Sequence, residues 1–366
     1  MKMLIAGAGP AGLYLAYLVK RQLPEWEVRV IEQNPRDSTF GFGVVFSERA
    51  LEFLRADDPE TYDRITPEME TWTDITVVLR GARVVIDGIG FSAIGRLRFL
   101  QLLRGQLESV GVAVEFEKNV ESENLADYDL VVAADGANSA IRRTADFGTT
   151  VTPLSNRFAW FGTRRSFGTL TQTFVENDAG TFNAHHYRHA GDMSTFVFEC
   201  DAATWARAGF ERMGEAETLA YCEKVFAFTL FGHKLVSNKS IWRSFPNVRN
   251  RLWSVGNKVL IGDAQRTAHF SIGSGTRLAM EDAIALVNAL SGHKKNVPEA
   301  LAAFEVARRP IVEKLVTAAD ASADWYEHFP EHMRLAPRDF AWSYIQRSGR
   351  IDPEKLRKIA PKFVAG

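Results

Sequence analysis

Two glycine-rich segments, far apart in the chain of 366 residues, hold the groups best suited to chemistry. The first runs Met3-Leu-Ile-Ala-Gly7-Ala-Gly9-Pro10-Ala11-Gly12 and is followed by Glu32 and Gln33 at the end of Val28-Arg-Val-Ile-Glu32-Gln33. The second runs Lys258-Val-Leu-Ile-Gly262-Asp263-Ala264 and leads into Ser271-Ile-Gly273-Ser274-Gly275-Thr276. In the first, Gly7 permits a tight strand-to-helix turn, Gly9 lets backbone approach a pyrophosphate, and Gly12 lets helix pack against strand. The helix N-terminus offers free N–H groups and a partial positive charge to the phosphates. Glu32 can accept both ribose hydroxyls. An acid there disfavours a 2′-phosphate, so the bound adenosine is that of FAD or NAD rather than NADP.

The second segment suits the far end of a long cofactor. Asp263 can accept hydrogen bonds from ribityl hydroxyls. The Gly273–Thr276 turn opens a helix whose N–H groups would meet the pyrimidine edge of a flavin, where a reduced flavin carries negative charge. A third marker, Asp129-Leu-Val-Val-Ala-Ala-Asp135-Gly136, puts Asp135-Gly136 at the end of a buried strand, close enough for backbone to approach a pyrophosphate. Downstream, Arg142 could pin a carboxylate or phosphate. Glu281 and Asp282 read as structural groups of the last helix. As a set, the segments describe one chain gripping FAD at both ends.

These groups need an α/β framework to hold them. Residues 1–32 read β-α-β, 47–55 and 96–110 read as helices, and 112–116 and 130–134 read as strands. Residues 157–200 then alternate apolar and polar with Gly and Asp turns, the pattern of an antiparallel sheet. Helix follows over 202–228, a buried strand at 258–261, and helix over 276–291 and from about residue 298 onward. The expected organisation is a Rossmann-like FAD-binding domain of residues 1–150 and 250–320, an inserted antiparallel-sheet substrate domain of 151–249, and C-terminal helices at 321–366. The sheet would act as a lid over the substrate.

Composition narrows the class. A formal charge of −1 with 24% charged residues argues against a nucleic-acid binder. No apolar run is long enough for a membrane span, and the first strand leaves no room for a signal peptide. Cys200 and Cys222 lack metal-ligand spacing and fit buried thiols of a reduced, cytoplasmic protein. No metal site is expected. Monomer and homodimer both stay open.

The three markers together resemble the single-component (class A) flavoprotein aromatic hydroxylases, from residue 1 to about 320. The resemblance implies the p-hydroxybenzoate-hydroxylase type of FAD fold. Arg96-x-x-Phe99-x-x-x-Leu103 fits too, and implies that Arg96 reaches the FAD. Phe40-Gly-Phe42-Gly43-Val44-Val-Phe46-Ser47, Gly90-Phe-Ser-Ala-Ile-Gly-Arg96 and Ala268-His269-Phe270-Ser-Ile-Gly-Ser-Gly-Thr276 are similar to the salicylyl-CoA 5-hydroxylase and 2-aminobenzoyl-CoA monooxygenase group. Ala184-His185, Met193-Ser-Thr-Phe and Glu199-Cys200 also resemble the violacein-pathway tryptophan-derivative hydroxylase. There are departures from the family pattern. Phe270-Ser271 stands where most class A enzymes have proline before the glycine turn, and Arg266 stands where many have histidine. The chain also lacks the extra reductase domain of the aminobenzoyl-CoA enzymes.

The resemblance implies that NADPH or NADH transiently reduces FAD, that O2 adds to form a C4a-hydroperoxide, and that an electron-rich ring is hydroxylated. A ring phenol or aniline needs a base or hydrogen-bond acceptor, for which His269, His185 and His186 are candidates with pKa values near the working pH. Phe42, Gly43 and Val44 would flank the flavin. Phe46, Tyr187 and Phe270 would line the substrate pocket, with Tyr187 on the same strand face as His185. An aryl-CoA thioester is the leading substrate class, and its phosphates would call on Arg164 and Arg165, with Arg188, Arg243, Arg249 and Arg251 behind them; Lys294-Lys295 reads as a solvated loop. A free indole or other natural-product aromatic is the alternative. A flavin halogenase, whose Trp-x-Trp-x-Ile-Pro motif Ile241-Trp-Arg-Ser-Phe-Pro246 only grazes, and a non-catalytic flavin-binding protein are more distant ones.

Overall fold

The computed structural model describes residues 1–47, 51–293 and 296–366. Its first layer is a six-stranded sheet in the order Ser254–Val255, Lys258–Leu260, Leu130–Ala133, Lys2–Ala6, Glu27–Glu32 and Val114–Phe116. All neighbours are parallel except the first pair. Leu4, Ala6, Val131, Val132 and Val259 are fully buried, as expected of strands covered on both faces. The helices Pro10–Gln22, Arg96–Ser109 and Gly275–Gly292 cover one face, and their apolar residues share one core with Met3, Ile5 and Val132.

The second layer is a seven-stranded sheet in the order Leu235–Val236, Arg157–Thr163, Met193–Cys200, Gly180–Ala190, Leu170–Asn177, Ile75–Leu79 and Ala82–Ile86. It does not stay within residues 151–249. The hairpin 75–86 joins it, and Ile75–Leu79 pairs in parallel with Leu170–Asn177, so the sheet is mixed rather than wholly antiparallel. One face packs under the helices Ala202–Ala208 and Glu215–Val225, around Phe182, Phe196, Phe198, Cys200 and Cys222. Both cysteines are buried and unpaired.

The helix Val297–Glu327 runs straight through residues 320 and 321. Its first half packs with the parallel sheet's helices through Leu301, Phe304 and Val312. Its last turns place Trp325 and Tyr326 against the second sheet, with Phe340 and Tyr344 of the tail. This helix therefore ties the two layers together. The expected helix at 47–55 is observed as Glu52–Asp57; residues 48–50 lie outside the described residues, as do Lys294 and Lys295. Among the described residues no helix is long and apolar enough to cross a membrane.

Candidate functional site

The cleft at the edge of the parallel sheet begins with backbone constraints. Gly7 has φ +103°, and a Cβ there would lie 2.4 Å from the Ala134 carbonyl oxygen. At Gly12 an added Cβ would lie 2.0 Å from the Gly7 carbonyl oxygen. Gly9 differs, because nothing lies within 4 Å of such an atom: its missing side chain leaves room for a ligand rather than for protein. The helix beginning at Pro10 has no acid in its first turn. Glu32 is held rigidly, Oε2 accepting the Ala8 N–H at 2.9 Å and Oε1 the Asn34 N–H and side-chain amide at 2.9 and 2.7 Å.

Gly7, Gly9, Glu32 and Asn34, together with Gln33, Arg96, Asp135 and Gly136, line a cavity of about 260 Å³. Asp135 Oδ2 accepts the N–H groups of Ala140 and Ile141, and burial raises its carboxyl. Its Oδ1 is buried without a partner. An orphaned acceptor in a cleft wall is a place for a ligand donor. The residues present fit the adenosine diphosphate half of FAD.

The other end of the cleft is built by the 262–276 segment. Gly262 adopts φ +59°, and its N–H donates to Asp282 Oδ2 at 3.1 Å. Asp282, 1% exposed, also pairs with Arg266 at 2.7 Å and Arg308 at 3.0 Å. Arg142 does not meet an acid or an open site. It donates to the carbonyls of Ala264 and Ala137, lacing the 135 turn to the 262 turn. Asp263 stays accessible from the cleft, yet burial still raises its carboxyl against the charges of Arg266 and Arg96. Arg96 is itself pushed down by burial and steadied by Asp263, and it donates to Thr39 Oγ1 at 3.1 Å. The 18-residue helix from Gly275 carries no acid in its first turn, and its N-cap Ser274 turns its hydroxyl to the Ile272 carbonyl instead of capping. Its leading N–H groups are thus left for an anionic partner.

The segment 39–47, which ends in the strand Gly43–Ser47 paired with Phe91–Gly95, is clamped to the second sheet. Gly43 donates to Thr195 Oγ1, and its carbonyl accepts the Tyr187 hydroxyl, both at 2.9 Å. Phe42 packs on Gly162, where a Cβ would lie 2.4 Å from the ring. Phe46 departs from expectation. It is fully buried against Phe99 in the core of the parallel-sheet layer together with Val44, because alternation sends residues 44 and 46 to that core and Val45 to the one around Tyr187.

Alternation also separates the two strand histidines. His185 shares a sheet face with Gln172, Tyr187 and Glu199. His186 points to the opposite face, its ring 4.0 Å from Phe167 and 5.3 Å from Phe196, with Nε2 on Thr173. It belongs to the packed layer behind the sheet. His269 joins His185's side: it stands 4.9 Å from Phe245, 4.2 Å from Phe270 and 5.9 Å from Tyr326, and Nδ1 shares a hydrogen bond with Ser271 Oγ. Phe270 in turn meets Phe158 and Trp160. The histidines do not titrate near the working pH. Burial, then the charge of Arg347, pushes both His185 and His269 down to about 3, so both rings are neutral. Both ring nitrogens of His185 are buried without a protein partner.

Three residues of this set were not given a site role from sequence. Glu199 is 2% exposed, Oε1 accepts from Asn156, and Oε2 has no partner. Tyr326 donates to Gln172, and Arg347 donates to the Ser271 carbonyl while lying 3.9 Å from the Tyr344 ring centroid. A lone acid in the buried run Met193–Cys200 was a legible signal for Glu199. Tyr326 and Arg347 come from the tail and carried none.

Burial pushes the Glu199 carboxyl up to about 8, with Asn156 opposing and Glu327 adding to the rise. It is therefore a neutral donor below that pH and a buried anion above it. Hydroxylation kcat/KM is expected to fall as pH rises through about 8 and to show no limb near 6.5. Glu199→Gln should flatten the alkaline limb. A limb that persists in this variant would assign the titration to another group.

The arginines expected to meet phosphates lie elsewhere. Arg164 sits on an exposed turn with Asp192, and Arg165 stacks on Phe167 and Phe231 behind the sheet. Arg188 pairs with Glu70, Arg249 with Asp320, and Arg243 lies over Phe40.

Beside the cleft for a long dinucleotide, His269 and Phe270 gather Phe158, Trp160, Phe245 and Tyr326 into an aromatic cluster. A family model described as FAD binding domain matches residues 106–319. The chain belongs to this family of flavoprotein monooxygenases. It is 42% identical to salicyloyl-CoA 5-hydroxylase of Streptomyces sp over 95% of this chain and 70% of that protein. It is 35% identical to protodeoxyviolaceinate monooxygenase of Chromobacterium violaceum over 96% of each. A solved structure of a variant of 2-methyl-3-hydroxypyridine-5-carboxylic acid oxygenase superposes with TM-score 0.75 at 18% identity, covering 98% of this chain and 96% of that one. The protein is an FAD-dependent monooxygenase of aromatic rings, with NAD(P)H as reductant.

Proposed function

We propose that this chain hydroxylates an aromatic acyl group presented as a coenzyme A thioester. The observation that carries the site is His185, 5% exposed with both ring nitrogens unpartnered, on the sheet face that also carries Tyr187, Phe158 and Trp160. An unmet buried polar group costs about 1–3 kcal/mol, a cost that a ring hydroxyl or amine of the substrate would remove. The thioester reading draws on the 42% identity to the salicyloyl-CoA hydroxylase.

FAD would lie along Gly7, Gly9, Gly12, Glu32, Asp135, Gly136, Gly262, Asp263 and the Gly273–Thr276 turn, with Arg96 beside its middle. Once reduced, it supplies the activation of O2. Neutral His185 accepts a hydrogen bond from the ring substituent, His269, whose Nδ1 accepts the Ser271 N–H, turns its Nε2–H toward it, protonated Glu199 donates to the acyl carbonyl, and the phenylalanines exclude water. The two buried, unpaired cysteines support a reducing, cytoplasmic setting.

A free indole-derived aromatic is the second reading, favoured by the match over 96% of both chains to the violacein-pathway enzyme. The test is NADPH and NADH oxidation by the yellow protein with salicyloyl-CoA, 2-aminobenzoyl-CoA, salicylate and tryptophan, with product mass recorded. Oxidation coupled to an added oxygen atom only with thioesters is expected. Coupling only with the free aromatics would move the assignment to the second reading.

A further inference from the structure

A separate cavity of about 270 Å³ lies between the tail helices Pro337–Gln346 and Pro353–Ile359 and the strand ends near Ile75 and Phe91. Its walls are apolar: Ile75, Ile89, Phe91, Ile345, Ile351 and Ile359. Its charged lining is one-sided. Among the described residues it holds Arg277, Arg347, Arg350 and Lys355 and no carboxylate. Arg277 is tethered to Glu281 at 2.7 Å. Arg350 has no hydrogen-bond or ion-pair partner for its guanidinium among the described residues, and burial and the neighbouring charge of Arg277 push it down. Lys355 Nζ reaches only the Arg350 carbonyl, at 3.2 Å. Arg347, Arg350 and Lys355 have no carboxylate partner among the described residues, and cations so gathered repel one another, an arrangement that an anion relieves.

The inner end of the cavity is formed by Ser271 and Arg347. These two residues also border the aromatic cluster: Ser271 Oγ is bonded to His269 Nδ1 at 2.8 Å, and the Arg347 charge is felt by both His185 and His269. Ser271 and Arg347 thus link the face of His185 and His269 to an apolar cavity with a cationic rim.

We infer that this cavity receives the phosphorylated pantetheine arm of the thioester substrate, with Arg350 and Lys355 binding its phosphates and the isoleucine walls holding the pantetheine. The inference rests on the thioester reading. It replaces the strand arginines at 164 and 165 with a site built by the tail. Adenosine phosphates also belong to NADPH, so the experiment must separate the two.

The FAD-loaded enzyme and its Arg350→Glu/Lys355→Glu variant are compared with salicyloyl-CoA and salicyloyl-pantetheine, which lacks every phosphate. Losing one charge-assisted hydrogen bond costs roughly tenfold in affinity. The ratio of kcat/KM for the two thioesters should therefore fall by roughly a hundredfold in the variant, with KM for NADPH little moved. Calorimetry with free coenzyme A should show the same drop in affinity. An unchanged ratio and unchanged coenzyme A affinity would overturn the subsite while leaving the thioester reading standing. A rise in KM for NADPH alone would overturn it in favour of the reductant. If the wild type binds coenzyme A through these residues yet hydroxylates no thioester, the subsite stands and the thioester reading falls.

Discussion

Gly12→Val is expected to give a colourless protein. A Cβ at this position would lie 2.0 Å from the Gly7 carbonyl oxygen and 3.2 Å from the Ala134 side chain, before the two further methyls of valine are counted. The helix must then back away from the turn, carrying with it the N–H groups that would meet the pyrophosphate. FAD affinity should drop by roughly a hundredfold or more, read as the flavin-to-protein absorbance ratio after gel filtration and by titration of apoprotein. Gly9→Ala is the informative companion. No atom lies within 4 Å of its added Cβ, so the fold should tolerate it and any loss of flavin reports contact with the ligand itself. A yellow Gly12→Val protein with wild-type FAD affinity would remove the first glycine segment from the cofactor site.

Asp282→Ala should be the most damaging single change to stability. The carboxylate is 1% exposed and holds Arg266, Arg308 and the Gly262 N–H at once. Its removal leaves Arg266 with no carboxylate partner and Arg308 with only Glu281, both deep in the core. Breaking a buried ion pair from one side costs about 3–5 kcal/mol, measured as the shift of the urea unfolding midpoint at constant slope. The Gly262 turn also loses its anchor, so flavin retention should weaken together with stability. Replacing all three charged residues with apolar ones of similar size should restore much of the stability without restoring the turn. A midpoint within experimental scatter of wild type would show that the network is not carrying the turn.

The cofactor cleft was legible because its requirements are local. Gly7, Gly9 and Gly12 act through backbone conformation and missing side chains, and Glu32 sits at a fixed distance along the same β-α-β unit. The alternating run over 180–200 likewise announced a sheet and put His185 with Tyr187. The hairpin Ile75–Leu79 and Ala82–Ile86 carries adjacent valines that break the alternation, its pairing partner, Leu170–Asn177, lies far along the chain, and register between distant strands leaves no local mark.

What the sequence alone determined is therefore a flavin cofactor and a family, since both follow from short windows in which spacing is geometry. Which sheet face each histidine takes, where Phe46 points, and how far burial moves the titration of His185, His269 and Glu199 were decided only by tertiary structure. Desolvation depends on what packs over a group. Here that cover includes Tyr326 and Arg347, brought back onto the sheet by the long helix Val297–Glu327 and the short helices after it.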